Sequence, residues 1–439
     1  MDRADRNNQS TIYVKSDSLT HMADAPLRIG IVGMGGVTKQ FRHWPERVIG
    51  RALARRGHYV ANIAYHQPQH PALSELKDEI EGVTIRRVPV RHWPNTELMA
   101  ALDELGPFDV LYLLHPRNVL AFGATEWARR KRIPTVYTWL GPLHDRYVVD
   151  DRERPLDETP KYERIIWDMR GVLLRTARNG RLRDHLRNYW LHQPLKAASA
   201  LLPCSEFEAG AMRAMGLTQP QTVVPLWLDI EAIKATPSQP IKLPRPSILF
   251  IGQLTPRKGY DLLLRALPTV VRRYPTTTVQ FVSGLNQEDR DTLERTAREL
   301  GVYKHIALRG RVEDAELINL YRAADVYVTP TRYEGFGLTL LEAMAAGAPL
   351  VSTDIPVVNE IVQHSINGWL TRYNDPANLA QGILAVLDDP IVRQRLIHGG
   401  RFTLATRFQE QELVGRIETV LRETIAANPH GRAVKRAAR

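Results

Sequence analysis

The stretch 325-DVYVTPTRYEGFGLTLLEAMAAGAP-349 contains a strand, a glycine-containing loop and a helix in direct succession. The apolar run ends at Thr329, the loop presents Glu334, and the helix begins near Gly337. Free backbone N–H groups at a helix start can bind phosphate or sugar oxygens. Glu342 lies one to two turns into the helix, where its carboxylate can accept hydrogen bonds from both hydroxyls of a ribose. The stretch therefore predicts a nucleotide site at the end of a strand.

Strands and helices alternate on both sides of this stretch. After a proline-rich linker at 236–247, strands are predicted at Ile248–Ile251, Thr278–Val282, Ile306–Leu308, Val326–Thr329 and Leu350–Ser352. The first half repeats the pattern, with strands at Leu27–Val32, Tyr59–Ala64, Val83–Val90, Phe108–Leu114 and Thr135–Thr138. This alternation predicts an α/β fold of two Rossmann-like, doubly wound domains, at 27–235 and 248–410, that face a cleft.

The ends of the chain and its composition give further expectations. Residues 1–26 and 428–439 are expected to be a disordered tail and a basic tail, and a helix at 411–427 is long enough to cross back to the first domain. The 439 residues include one cysteine, Cys204, which excludes an intramolecular disulfide and a thiolate metal cluster. The N-terminal segment lacks the apolar core of a signal peptide, so a cytoplasmic location is expected.

The net charge of +11 is unevenly distributed, because basic residues concentrate between Arg164 and Lys196. Aliphatic and aromatic residues are interleaved with them. Such a segment could contact an anionic membrane as a peripheral surface. A helical pair whose apolar stripe packs on its own domain is the favoured interpretation, because such stripes usually belong to a core. No recognisable nucleic-acid-binding module accompanies the charge, so nucleic acid is not an expected partner.

A glycine cluster, Gly33-Met34-Gly35-Gly36, follows the first strand. It does not complete a dinucleotide-binding fingerprint, because Thr38 replaces the third glycine and no acidic residue ends the second strand. Hydride transfer is therefore not expected. Two interpretations stay open: a backbone around Gly35 and Gly36 that closely approaches a bound anion or sugar, and a tight strand-to-helix turn.

The 325–349 stretch resembles the donor-binding signature of glycosyltransferase family four, retaining enzymes of two-Rossmann (GT-B) architecture. Glu334 and Glu342 stand eight positions apart, with Gly-Phe-Gly-Leu between them and Ala-Met-Ala-Ala-Gly-Ala-Pro after them. The resemblance implies transfer of a sugar from a nucleotide-diphosphate donor, which would be a co-substrate, and no further cofactor. Glu334 would then act at the reaction centre, and the donor-binding residues would include Gly335, Phe336, Gly337, Leu338 and Glu342.

Two further loops of the second half extend the resemblance. In 251-IGQLTPRKG-259, Gly252 leads a loop in which Lys258 would offset the charge of the donor diphosphate. The family usually has an arginine directly after the first glycine, where this chain has Gln253, and Arg257 could compensate. In 308-LRGRV-312, the backbone around Arg311 and Val312 would meet the nucleobase.

In the first half, His115 ends a buried strand and resembles the family's cleft histidine, which contacts the transferred sugar. Trp139 stands where the family commonly has another histidine, and Trp227 lies where it usually shows an Asn-Gly pair. These departures suggest a divergent acceptor pocket. No Asp-x-Asp pair or His/Asp cluster has metal-ligand spacing, so no metal site is predicted.

The sequence leaves other classes of function open. The chain could be a non-catalytic nucleotide-sugar-binding protein, since Gln253 removes one expected cation, or a membrane-surface scaffold led by residues 164–196. For an enzyme, the acceptor could be a glycolipid, a polysaccharide or a small glycoside. The nucleobase and the sugar of the donor are not identified.

Overall fold

The computed structural model describes residues 25–40, 43–89, 95–115, 118–139, 165–284 and 287–428. The two predicted tails lie almost entirely outside these residues, and so does Val90, the predicted end of one strand.

A parallel sheet organises the first domain. Its strand order is β3-β4-β2-β1-β5-β6-β7, and only β3 runs antiparallel to its neighbour. The strands are β1 (Arg28–Val32), β2 (Tyr59–His66), β3 (Lys77–Ile80), β4 (Val83–Pro89), β5 (Val110–Leu114), β6 (Thr135–Thr138) and β7 (Ala200–Leu201). The helices are α1 (Pro45–Arg55), α2 (Thr96–Leu105), α3 (Val119–Lys131), α4 (Met169–Asn179), α5 (Leu182–Ala197), α6 (Glu206–Ala214) and α7 (Ile230–Ala235).

The second domain has a fully parallel sheet of order β10-β9-β8-β11-β12-β13. Its strands are β8 (Ser247–Ile251), β9 (Thr278–Val282), β10 (Ile306–Arg309), β11 (Val326–Thr329), β12 (Leu350–Thr353) and β13 (Trp369–Thr371). Its helices are α8 (Tyr260–Arg273), α9 (Gln287–Glu299), α10 (Asp314–Ala323), α11 (Leu338–Ala346), α12 (Pro356–Asn359), α13 (Pro376–Asp388) and α14 (Pro390–Arg407), and α15 (Glu410–Ala427) ends the described chain. The predicted α/β fold of two doubly wound domains is confirmed.

The central strands are mostly apolar and buried along nearly their whole length, as expected for strands covered by helices on both faces. Every residue of β5 and of β11 is buried. Edge strand β3 is not predicted by the sequence, because only Ile80 of its four residues is buried.

Each sheet has one point where the direction of strand addition reverses. In the first sheet, β1 and β5 are parallel neighbours. The chain continues from β1 to β2 on one side of this pair and from β5 to β6 on the other side. In the second sheet, β8 and β11 have the same relation. Ligands of open α/β sheets bind in the crevice at such switch points, beyond the carboxyl ends of the strands. The loops after these four strands are therefore the places to look for a site.

Helix α15 lies against α1 of the first domain. Arg51 on α1 donates to Glu410 at 2.9 Å and also pairs with Asp229, while Arg56 pairs with Glu418. Farther along, the carboxylate of Glu360 accepts the first backbone N–H groups of α6, at 2.8 Å each. Both contacts connect the two domains.

Helices α4 and α5 form the helical pair predicted in the basic segment. The expectation that its apolar residues pack on their own domain holds for Ile165 and Ile166, which are buried. It is wrong for Leu173, Leu174 and Trp190, which are exposed, because α4 and α5 use their other sides to pack on each other and on α3. No helix in the described part of the chain combines the length and the apolar character needed to cross a bilayer.

Candidate active site

An ion cluster occupies the switch point of the second sheet. Lys258, in the turn Pro256–Lys258 after β8, pairs with Glu334 in the loop after β11. Arg257 Nη1 lies 3.8 Å from the other oxygen of Glu334 and donates to the carbonyl of Tyr333 at 3.0 Å. Burial acts to raise the pKa of Glu334, but Lys258 and Arg257 outweigh it and hold the pKa below the usual value. Glu334 is therefore an ionised, buried carboxylate that faces two cations.

Arg257 thus turns inward and does not point to solvent. Its side chain is 16% exposed, whereas Gln253, at the position where the family has an arginine, is exposed. A guanidinium next to Lys258 is present after all, supplied from a different position in the same loop.

The loops after β8 and β11 are fixed to each other by their backbones. Gly259 has φ +73°, and a Cβ at this position would lie 1.8 Å from the carbonyl oxygen of Pro330. Only glycine permits this approach. Arg332 binds Asp261 through two hydrogen bonds of 2.7 and 2.8 Å, and its backbone N–H donates to the carbonyl of Arg257 at 2.8 Å. These contacts fix the positions of Lys258 and Arg257 relative to Glu334.

Glu342 lies in the second turn of α11 and is half-buried. The hydroxyl of Tyr321, a buried residue of α10, donates to Glu342 Oε2 at 2.9 Å. Burial raises the pKa of Glu342, while His43 of the first domain, Tyr321 and Lys258 act in the opposite direction. The carboxylate of Glu342 therefore interacts electrostatically with Lys258 of its own domain and with His43 of the first domain.

The residues between the two glutamates shape the start of α11. Gly337 has φ +102°, which a side chain would rarely adopt, and Phe336 is buried against Phe408 with ring centroids 6.3 Å apart. Leu338, the first residue of the helix, is partly buried against the core. The N–H groups of the first helical turn begin directly after the loop that carries Glu334.

In the first domain, the loops after β1 and β5 meet at Glu46, a residue for which the sequence predicts no role. His115 Nε2 donates to Glu46 Oε1 at 3.0 Å, and Gly35 N–H approaches the same oxygen at 3.3 Å. Glu46, in the first turn of α1, is fully buried. Burial acts to raise its pKa, but His115 and the backbone N–H groups outweigh it, so the pKa is lowered. Glu46 links the glycine loop to the predicted cleft histidine.

Other predicted positions lie in the loops after β1 and β10. Gly36 has φ +71° and passes close to Ala64, consistent with a tight turn as well as with close ligand approach. Arg311 is exposed and Val312 half-buried in the loop after β10.

The two positions expected to form a divergent acceptor pocket are both buried. Trp139 is 1% exposed within the first-domain core, and Trp227 donates to Glu410 at the junction with α15. Both large side chains pack into the interior, and the divergent acceptor pocket stays a prediction.

The chain resembles known proteins over most of its length. A family model described as glycosyl transferases group 1 matches residues 233–402, and one described as a glycosyl transferase 4-like domain matches residues 47–227. The chain belongs to this family of glycosyltransferases.

Individual relatives agree with this assignment. Phosphatidyl-myo-inositol mannosyltransferase of Mycobacterium tuberculosis is 37% identical over 160 residues, which are 35% of this chain and 41% of that protein. The chain matches about two fifths of the length of relatives of this kind.

Two solved structures share the fold. Sucrose-phosphate synthase of Thermosynechococcus elongatus superposes with a TM-score of 0.68 at 19% identity, over 91% of this chain and 100% of that chain. HepE of Anabaena, in complex with UDP and glucose, has a TM-score of 0.65 at 16% identity, over 90% and 99% of the two chains. At these identities the likeness concerns the fold alone.

Proposed function

We propose that the chain is a retaining hexosyltransferase that moves a sugar from a nucleotide-diphosphate donor to an acceptor hydroxyl without a metal ion. The observation that carries this proposal is the cluster of Lys258, Arg257 and Glu334, with Glu342 in the helix that follows. The two cations would face the diphosphate of the donor, and the N-terminal turn of α11 would add backbone donors. Glu342 is the carboxylate that would hold the ribose hydroxyls. The nucleotide bound in the HepE structure supports a donor of this class.

In the proposed reaction, the bond between the anomeric carbon and the phosphate oxygen breaks. A bond to the acceptor oxygen forms on the same face of the sugar, and the acceptor proton passes to the departing phosphate. Lys258 and Arg257 stabilise the charge that develops on the diphosphate. His115, oriented by Glu46, would contact the transferred sugar from the first domain. Closure of the domains would exclude water and limit hydrolysis of the donor.

The proposal places the protein in the cytoplasm, in peripheral contact with an anionic membrane. A glycolipid, a polysaccharide or a small glycoside would be the acceptor. A relative that by its name mannosylates phosphatidyl-myo-inositol makes the glycolipid the first acceptor to test.

Donor binding and turnover test the proposal separately. A thermal-shift screen with uridine, guanosine and adenosine diphosphate sugars identifies the donor, because a ligand at a hundred times its Kd stabilises the fold by about 2.7 kcal/mol. Single-turnover release of nucleoside diphosphate from that donor then measures chemistry. Lys258→Ala and Glu342→Ala are each expected to abolish both signals while the far-UV spectrum stays unchanged. Binding without any release would favour the non-catalytic alternative, and full activity in both variants would refute the site.

A further inference from the structure

The hairpin of α4 and α5 carries a large share of the exposed apolar side chains in the described part of the chain. Five of the twelve large apolar residues exposed there belong to this hairpin. They are Met169 (46% exposed), Leu173 (63%), Leu174 (57%), Leu182 (45%) and Trp190 (48%). Single exposed apolar residues are ordinary, but a cluster of this size marks a contact surface.

The exposed apolar and basic residues of α4 lie on one continuous side of the helix. Met169 and Leu173 are four positions apart, and Leu174 stands four residues after Arg170 and four before Arg178. At 100° per residue these five positions fill one half of the helix circumference. Val172, on the opposite half, is buried. The helix thus presents leucines and arginines side by side to its surroundings.

Helix α5 repeats this arrangement. Leu182, Arg183 and Trp190 are exposed, whereas Leu191 and Leu195 on the other side are buried against the domain. Between residues 169 and 197 there are seven basic residues and one acidic residue, a net charge of +6 out of +11 for the chain. Trp beside Arg and Leu is the composition of a surface that lies in the headgroup region of a bilayer.

The hairpin is attached to the first domain through α5, whose Leu195 is buried in the same apolar cluster as Trp127 and Ala128 of α3. Asn188 accepts the backbone N–H of Ile166 at 2.9 Å, and Lys196 donates to the carbonyl of Trp167 at 3.2 Å. Helix α5 leads into β7, a parallel strand, so its first turn lies toward the carboxyl edge of the sheet, where His115 stands. The exposed turn around Gly180 is therefore on the side of the cleft.

We infer that the hairpin of α4 and α5 docks on an anionic lipid bilayer, with its leucines and tryptophan in the headgroup region and its arginines on the lipid phosphates. Charge complementarity selects an anionic bilayer as the occupant. The purpose of this docking rests on the proposed function, because docking would bring the cleft to a membrane-borne acceptor. The contact itself needs no donor and no turnover.

Co-sedimentation of the full chain with vesicles tests the docking. Vesicles of phosphatidylcholine with about 30% phosphatidylglycerol are expected to bind the chain at ~0.1 M salt and to release most of it at ~1 M salt, whereas pure phosphatidylcholine should bind little. The variant Leu173→Ser/Leu174→Ser/Trp190→Ser removes apolar contacts, and Arg170→Gln/Arg183→Gln removes two charges. Each should lower the partition coefficient at least about tenfold. The matched control, Ile391→Ser/Phe402→Ser, removes apolar residues that are 76% and 70% exposed on α14 and should bind like the wild type.

Several outcomes would overturn the docking. Equal binding by wild type and both hairpin variants would show that another surface is responsible. No binding by the wild type, together with a lower Tm of the serine variant, would show that another part of this chain covers the face. A wild-type dimer that the serine variant dissociates would assign the face to a second copy. Thermal shift with donor sugars on the same samples distinguishes failure of the docking from failure of the proposed function. Vesicle binding without any donor binding would refute the proposed function and leave the docking intact.

Discussion

The hydroxyl of Tyr321 gives a direct test of what limits the rise in the pKa of Glu342. Burial raises the pKa of Glu342, and the hydrogen bond from Tyr321, at 2.9 Å, works against that rise. Tyr321 is 1% exposed, so Tyr321→Phe removes a donor that the protein interior supplies to Glu342. A hydrogen bond to a charged group contributes about 1.5–3 kcal/mol. At 1.36 kcal/mol per pKa unit, the variant should raise the pKa of Glu342 by at least about one unit.

The assay is the Kd of the best-binding nucleotide sugar, measured from about pH 5 to pH 8. Only the ionised carboxylate accepts hydrogen bonds from both ribose hydroxyls, so affinity falls as pH drops through the pKa of Glu342. In Tyr321→Phe this fall should occur about one pH unit higher, and affinity should recover at the alkaline end. General damage to the fold would instead weaken binding at every pH.

A matched control is available on the protein surface. Tyr274 also donates its hydroxyl to a carboxylate, that of Asp388, on the far side of the second domain. Tyr274→Phe should leave the pH profile of donor binding unchanged. The reasoning fails if Tyr321→Phe keeps the wild-type profile with an intact fold, because Glu342 would then not depend on the buried hydroxyl.

Four further variants test the site through stability and kinetics. The folded-state pKa of Glu342 is raised, so its ionised form lowers the stability of the fold as pH rises. Glu342→Gln should therefore raise Tm at pH 8 more than at pH 5, and an equal change in Tm at both pH values would contradict this. The pKa of Glu334 is lowered, so its stabilisation is lost as pH falls, and Glu334→Gln should destabilise the fold by about 3 kcal/mol near pH 8, as urea unfolding would show. Gly259→Ala should cost at least about 2 kcal/mol, against about 1 kcal/mol for Gly301→Ala, which has a similar positive φ but open space; equal costs would refute the loop contact. Glu46→Gln should lower kcat at least about tenfold with little change in donor Kd, and a pure Kd effect would contradict its orienting role.

The sequence predicts the main strands of both sheets because each is a short apolar run bounded by a glycine, a proline or a polar turn. The same local pattern places Glu334 in a loop and Glu342 in a helix. It does not predict that Arg257 turns inward, since the direction of a side chain in a loop depends on what the loop packs against. The backbone contact between Gly259 and Pro330 decides this, and those two residues are 71 positions apart.

Burial of single side chains is the other property that local pattern did not predict. The sequence favours packing of the leucines in 169–182 on their own domain, because apolar residues at helical spacing usually face a core. The structure exposes Leu173 and Leu174 and buries Val172, because only one side of α4 packs on α5. Trp139, directly after β6, is the reverse case, since it is 1% exposed within the first-domain core.

What the amino-acid sequence determined by itself is the order of strands, loops and helices and the residue types that follow each strand, because these depend on neighbours within a few positions. Only the tertiary structure decided which loops meet. Lys258 pairs with Glu334 because β8 and β11 are adjacent, and His115 meets Glu46 because β1 and β5 are adjacent. The pairing of strands is a long-range outcome of packing, and the electrostatics of the candidate site follow from that pairing.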